Sequence, residues 1–319
     1  MPIPPINRTN IDRWKQDSNE SVDYYNDWFL RFAPPSFRAA RSEAAKRVSE
    51  AFRLTNDCRA LGVDAVLRRP DLLAVARQLT CPPIARDRLA GLSKVPRTFV
   101  QRCEESGGRP LKAAARENLR RVLEVVAKLL DTDVMPWLSD PGAKPTPQQR
   151  TRSALVVADR LCGALSDPIL RNAQEKRQLD AISAWLAARG YRKAEVRSRE
   201  ELEPGTFAVR LNMTGRASGD DARAVNIPVD VVVLPKSAKR GTLPVLIEAK
   251  SAGDFTNVNK RRKEEAQKIE QLRRQYGVDV TFVLFLCGYF DPGYLGYEAS
   301  ERIDWIWEHR IEDMEKLGL

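Results

Sequence analysis

A chain of 319 residues, 43% of them hydrophobic and 30% charged, is long enough for one large domain or two ordinary ones and can bury a proper core, which excludes disorder on a large scale. Its formal charge is +10 and is unevenly spread: residues 1–150 carry 26 Lys+Arg against 18 Asp+Glu, and 20 of those cations are arginine. The arginine fork suits phosphate and guanine edges, so the balance is compatible with a polyanionic partner; the alternative is arginine on ordinary solvated helix faces.

Cys58, Cys81, Cys103, Cys162 and Cys287 are odd in number and show no CxxC spacing, so neither a disulfide framework nor a zinc site is expected and the compartment reads as reducing. No apolar run approaches the roughly 18 residues of a membrane-spanning helix. The start, MPIPPINRTN, lacks the regions of a signal peptide, so a cytoplasmic protein with no membrane association is expected.

Residues 10–60 hold Trp14, Tyr24, Tyr25, Trp28, Phe29 and Phe32, then Pro34-Pro35 and a helical run through Phe37, Val48, Phe52 and Leu54. Spacings such as Trp28 to Phe32 put these rings on one helical face, where core packing is expected. Short helices broken by prolines follow. In TCPPIARDRL, Arg86 and Arg88 come after a double proline, which makes either a rigid turn showing arginines to DNA or an ordinary helix start. From Ala113 to Leu130, Leu119, Val122, Leu123, Val126, Leu129 and Leu130 recur at three and four, predicting an amphipathic helix with a basic outer face. The stretch 139–150, SDPGAKPTPQQR, is the expected boundary between a helical, basic, DNA-binding region over 1–150 and a catalytic core over 166–319.

A helix over Ala154 to Leu165 is expected to give way to a second, capped by Asp167, with Pro168 in its first position and Gly190 beyond its end. On that helix Glu175, Leu179, Ile182 and Leu186 share the stripe that faces the sheet, so Glu175 is either a functional acid or an edge residue paired with Arg171 or Gln178. Strands come next. TFAVRLNM alternates with Phe207, Val209, Leu211 and Met213 inward, and Ile227 to Lys250 reads as two β-branched runs joined by a polar connection. TNVNKRRKEEAQKIEQLRRQYG predicts a helix with Ile269 and Leu272 inward, VDVTFVLFLCG a strand covered on both faces, and ASERIDWIWEHRIEDMEKLGL an amphipathic closing helix.

Asp230 interrupts an apolar strand, and a buried carboxylate is costly unless a cation sits against it. Glu248 and Lys250 are alternate residues and project together from the end of the next strand. Asp230 and Glu248, meeting at neighbouring strand ends, would bind a hard divalent cation through oxygen; magnesium fits, completed by water, a phosphate oxygen and the Ala249 carbonyl. Such an ion stabilises charge developing on a phosphate and acidifies water, while Lys250 orients or helps deprotonate the nucleophile. The bare D…(D/E)-x-K pattern also occurs by chance, the alternative being a surface pair Glu248–Lys250 with Asp230 as a structural cap. Lys260, Arg261, Arg262 and Lys263 follow the active strand and either reach phosphates flanking the scissile bond or open a solvated helix. His309 is the only histidine, which excludes nuclease chemistries built on histidine pairs or histidine-bound zinc and leaves it a packed or capping role; no P-loop is present.

Asp230, Glu248 and Lys250 in this arrangement resemble the PD-(D/E)xK nuclease superfamily, in which the helix before the sheet often supplies a further acidic metal ligand; Glu175 matches that position. The runs EAKSAGDFTNVNKRRKEEAQKIEQLRRQYG, VLFLCGYFDPGYLGYE, IDWIWEHRIEDM, LRNAQEKRQLDAISAWL and TCPPIARDRL are similar to the XamI-like family of type II restriction endonucleases. The resemblance implies an α/β fold with a restriction-endonuclease-like core, a mixed sheet flanked by helices, and a helical N-terminal region. It also implies double-stranded DNA as substrate, Mg2+ as cofactor, and cleavage within a short sequence by Asp230, Glu248 and Lys250. Val229 rather than proline precedes the aspartate, with Pro228 one place earlier, a departure that carries no chemistry. The Gln-x-x-x-Tyr pattern of processive exonucleases is absent, since Gln271 is followed four later by Gln275, which favours an endonuclease. A homodimer is expected because palindromic sites are read by two-fold symmetric proteins, and a cognate DNA methyltransferase is the expected partner of a restriction-modification system. A repair or structure-specific nuclease on the same core and a catalytically silent DNA-binding protein are the other readings; Asp230, Glu248 and Lys250 together argue against the second. The sequence does not single out base-reading residues; loops such as GYFDPGYLGY and the basic N-terminal half are the first places to seek them.

Overall fold

The computed structural model describes residues 4–140, 142–216, 224–255 and 258–319, the side chains of 258–262 excepted. In chain order the elements are α1 (Ile11–Leu54), α2 (Val63–Arg68), α3 (Leu72–Ala76), α4 (Arg86–Leu92), α5 (Arg97–Glu104), α6 (Arg116–Lys128), α7 (Pro147–Ala188), β1 (Arg192–Lys193), β2 (Thr206–Arg216), β3 (Ala224–Leu234), β4 (Val245–Ala252), α8 (Val258–Tyr276), β5 (Phe282–Gly288), α9 (Pro292–Ser300) and β6 (Asp304–Trp307). The chain forms two compact units, Met1–Phe32 with Arg171–Leu319, and Ala33–Leu170. The stretch 139–150 lies inside the second of these.

The unit over Ala33–Leu170 is helical, and its core gathers Val48, Phe52, Leu73, Leu79, Leu89, Val100, Met135, Trp137 and Leu161. The three-and-four spacing of α6 delivers Leu119, Val122 and Val126 to that core. Its outer arginines do not stand as unneutralised charge, because Arg120 and Arg121 bond Glu117, and Arg120 also bonds Glu124. A buried pair sits inside the unit: Arg77 Nε donates to Glu104 Oε1 at 2.5 Å, with both side chains almost wholly buried.

Three prolines lie inside helices without ending them. Pro34 and Pro35 lie within α1 and Pro168 lies within α7, so the expected break at Asp167–Pro168 is absent. A proline removes one amide donor and crowds the preceding turn, at about 3 kcal/mol in a helix interior. Burial to either side opposes that cost: Leu161, Cys162 and Ser166 precede Pro168 and Gln178, Leu179 and Ile182 follow it, all buried.

The other unit holds a mixed sheet, six strands among the described residues, in the order β1-β2-β3-β4-β5-β6. β2, β3 and β4 pair antiparallel, whereas β1 pairs with β2, β4 with β5, and β5 with β6 in parallel. The C-terminal half of α7 covers one face, packing Leu179, Ile182, Trp185 and Leu186 on Phe207, Val231, Ile247 and Phe285. Ile269 and Leu272 of α8, with Tyr294 and Leu295 of α9, cover the other face over Leu211, Val229, Leu246 and Leu284. β5 is buried along its whole length, as its continuous apolar run requires when both faces are covered.

Strict alternation fails in β2. Phe207 and Val209 face α7, but Leu211 and Met213 face α8. The switch falls at Arg210, whose φ of 56° is left-handed, and it is matched in β3, where Val229 and Val231 also face opposite sides around Asp230. The chain end differs as well. Instead of one amphipathic helix, Asp304–Trp307 pairs with β5 as the last strand of the sheet, followed by a 3-10 run over Glu308–Leu317. Trp305 and Trp307 fill one core and Ile306 the other, so a short DWIW stretch is buried on both faces, which a helix with one polar side does not provide. Within GYFDPGYLGY, Pro292 onward is helix α9 rather than loop, because Asp291 caps it by accepting from Tyr294 N and Pro292 takes the first helical position.

The N-terminal segment is tied to β6. The Asp304 carboxylate accepts the backbone N–H groups of Ile6, Asn7 and Arg8 at 2.6–3.1 Å, and Trp14 packs edge-on to Trp305. The described residues include no helix long and apolar enough to cross a membrane. At the end of β5, Gly288 has a φ of 99°, and a Cβ there would lie 2.1 Å from the Ala252 carbonyl oxygen of β4. Gly288→Ala is therefore expected to cost about 3 kcal/mol, since strain in the backbone adds to a clash that only backbone movement relieves. Urea denaturation of the full chain measures it; a midpoint equal to wild type would contradict the close approach.

Candidate active site

The ladder between β3 and β4 runs from Val233↔Val245 to Val231↔Ile247 and then stops. Beyond that point Asp230 takes over a backbone role: its Oδ2 accepts the amide of Ala249 at 2.8 Å. The carboxylate thus lies beside Glu248 and Lys250. Burial pushes the Asp230 carboxyl above its ordinary range and the negative charge of Glu248 pushes it further, against the Ala249 amide and the nearby Lys250 and Lys268 ammonium groups.

Glu248 and Lys250 face α8, on the same side of β4 as Leu246 and Ala252. Lys250 Nζ donates to Glu248 Oε1 at 3.0 Å. Two further groups reach the same place from α8. Lys268 Nζ donates to Glu248 Oε2 at 2.5 Å, and Glu265 Oε1 lies 3.7 Å from Lys250 Nζ. Glu265 is buried and its other oxygen accepts from Tyr294 OH of α9 at 2.8 Å, with the buried Glu298 adjoining both. Burial raises the Glu265 carboxyl despite the Lys250 charge. Burial alone would lower Lys250, but Glu248 and Glu265 outweigh it and hold the amine above its ordinary value, so it stands as an ammonium at neutral pH.

Sequence reasoning missed Glu265 and Lys268, and a signal for them exists. Glu265, Lys268, Ile269 and Leu272 lie at i, i+3, i+4 and i+7, so an acid and an amine share the inward stripe already marked by Ile269 and Leu272. Gln178, one turn after Glu175, is buried on α7 and donates to the carbonyls of Lys250 and Phe285, clamping β4 to β5 from the opposite face.

The other expected residues sit as follows. Glu175 is bonded by Arg210 Nη2 at 2.6 Å, across to β2 at the step where the strands switch faces, and is two-fifths exposed. Ala249 is partly buried, packing against the α7-side core. Arg86 opens α4 and is held by Glu104 and Glu105, whereas Arg88 is exposed. Lys260, Arg261 and Arg262 lie in the first turn of α8 with side chains outside the described residues; Lys263 is exposed. His309 is packed, nine-tenths buried and 3.4 Å from Glu20, and burial lowers its pKa. It forms with Asp17 and Glu20 a group of potential metal ligands, but Asp17 is already chelated by Arg310 Nη1 at 2.8 Å from each oxygen.

The fit of Asp230 and Glu248 to a cation rests on their donors. Both are oxygen ligands drawn partly out of water where β3 and β4 part, and burial, reinforced by their mutual repulsion, raises Asp230, the situation a hard divalent ion relieves. The arrangement can hold a cation and a phosphate against two ammonium groups.

Residues 56–307 match the family described as XamI restriction endonuclease. Over 318 residues the chain is 46% identical to the type II restriction enzyme SalI of Streptomyces albus G, a match covering 98% of this chain and 99% of that enzyme. No solved structure matches it. A family match over most of the chain, joined to this near full-length similarity, places the protein in the XamI restriction endonuclease family and makes it a site-specific deoxyribonuclease.

Proposed function

We propose that the enzyme makes magnesium-dependent double-strand cuts at a short palindromic DNA sequence, with a PD-(D/E)xK core whose catalytic centre is Asp230, Glu248 and Lys250. The observation that carries this reading is the convergence of two largely buried carboxylates and an ammonium where β3 and β4 part. Asp230, Glu248 and the Ala249 carbonyl would hold Mg2+, joined by Glu175 when Arg210 releases it. When bound, the ion supplies positive charge to the phosphate and acidifies water. Lys250, kept protonated by Glu248 and Glu265, donates from Nζ to the attacking water or the phosphate and fixes the line of attack. Gln178 keeps the Lys250 backbone in place, and the α8 and α9 side chains exclude bulk water beneath it.

For DNA binding, Lys260, Arg261, Arg262 and Lys263 at the start of α8 follow directly from the active strand and contact flanking phosphates. The helical region within residues 1–150 adds further contacts, among them Arg88; Arg86 is spent largely on Glu104 and Glu105. A homodimer in the cytoplasm, paired with a methyltransferase that protects the same sequence, completes the reading.

Asp230→Asn and Lys250→Ala are each expected to lower plasmid cleavage in magnesium by about 10³-fold or more while leaving DNA binding in calcium intact. Cleavage at wild-type rates by either would refute the assignment. Asp230→Asn has a second signature. A raised carboxyl pKa means that the folded state holds this proton more tightly than the unfolded chain, so ionised Asp230 costs the metal-free fold stability at neutral pH and costs nothing in acid below its ordinary value of 3.8. The variant's Tm without metal should therefore exceed wild type near neutrality and converge with it as pH falls. Replacing Arg261 and Arg262 together by alanine should flatten the salt dependence of DNA binding by about 2 in log–log slope, and an unchanged slope would remove them from the interface.

A further inference from the structure

Both oxygens of Glu248 are capped by ammonium groups, Oε1 by Lys250 at 3.0 Å and Oε2 by Lys268 at 2.5 Å. A cation approaching Glu248 therefore meets an ammonium group at either oxygen. The two lysines are not equivalent. Lys250 leaves the strand beside Glu248 and has a second carboxylate, Glu265, at 3.7 Å. Lys268 comes from α8 on a long flexible stem, and among the described residues Glu248 is the one carboxylate within ion-pair reach of it. Its head is only 16% exposed, so it is held at Glu248 in a setting where charge is weakly screened.

We propose that Lys268 is a positioning residue that occupies the place of the metal: its ammonium neutralises Glu248 in the metal-free protein and is displaced when a divalent cation binds. The function follows from electrostatics. The Glu248 charge repels both the Asp230 and the Glu265 carboxylate, and without the ion Lys268 offsets part of that repulsion. The same contact sets a threshold, because metal binding must exceed the strength of the Lys268–Glu248 pair. Binding of an ion therefore moves the Lys268 head off Glu248 while Lys250 keeps its hold on Glu265.

This inference rests on the Asp230–Glu248 metal site proposed above, and the test separates the two. Mn2+ binding to the full-length, metal-free, DNA-free protein is followed by electron paramagnetic resonance, and the metal-induced rise in Tm by calorimetry. Lys268→Met is expected to bind Mn2+ about tenfold more tightly than wild type, because the competing cation is gone, and to show a larger rise in Tm on metal addition. Lys268→Gln carries the same expectation should the methionine variant fold poorly, and Lys268→Arg should keep weak, wild-type-like binding. Affinity in the Met or Gln variant equal to or below wild type, with Glu248→Gln still abolishing binding, overturns the role of Lys268 alone. Wild-type Mn2+ binding by Glu248→Gln overturns the metal site itself. A merely structural lysine would lower stability without tightening metal binding.

Discussion

The hydrogen bond from the Ala249 amide to the Asp230 carboxylate is the contact on which the rest of the site depends. β3 and β4 pair as ordinary antiparallel strands up to Val231↔Ile247, and at the next step a side chain replaces a main-chain carbonyl as the acceptor. That substitution satisfies an amide that would otherwise be left without a partner and brings an acid into the gap between two strands. It also lets β3 change the face it shows to the helices, in step with Arg210 on β2. Glu248 and Lys250 then emerge on the α8 face beside Asp230.

The two faces of the sheet have separate work. On the α7 side, Leu179, Ile182 and Leu186 pack apolar surface, and Gln178 binds two strand carbonyls, so this face holds β4 and β5 in register. On the α8 side the apolar stripe is interrupted by Glu265 and Lys268, and α9 contributes Tyr294. Burying these charges is tolerated because each faces an opposite charge or a hydroxyl, and the surplus of carboxylate makes the place suited to a cation.

The helical unit changes the meaning of the composition. Its arginines look like a phosphate-binding surface when counted, yet many are bound internally: Arg69 to Glu50 and Asp71, Arg77 to Glu104, Arg116 to Asp64, Arg150 to Asp57 and Arg160 to Asp131. The exposed pairs among these add little stability, but all of them remove local field that would otherwise reach a polyanion. The uncompensated charge of this unit is smaller than the count of its arginines suggests.

The sequence by itself determined the elements with strong periodicity and singled out the three candidate residues of the motif. Leu119, Val122 and Val126 on α6, Ile269 and Leu272 on α8, and the wholly apolar β5 lie where their spacing puts them, because burial of a stripe or a run is a local consequence of residue order. Asp230, Glu248 and Lys250 were legible because charge inside an apolar strand is costly enough to need a reason. Only the tertiary structure decided which other charges join them. Glu265 and Lys268 are 17 and 20 positions from Glu248 and meet it through the packing of α8 on the sheet. The helix through Pro168, the strand at Asp304–Trp307 and the face switch at Arg210 also belong to the fold, since in each the free energy of burying distant surfaces outweighs what the local residues prefer.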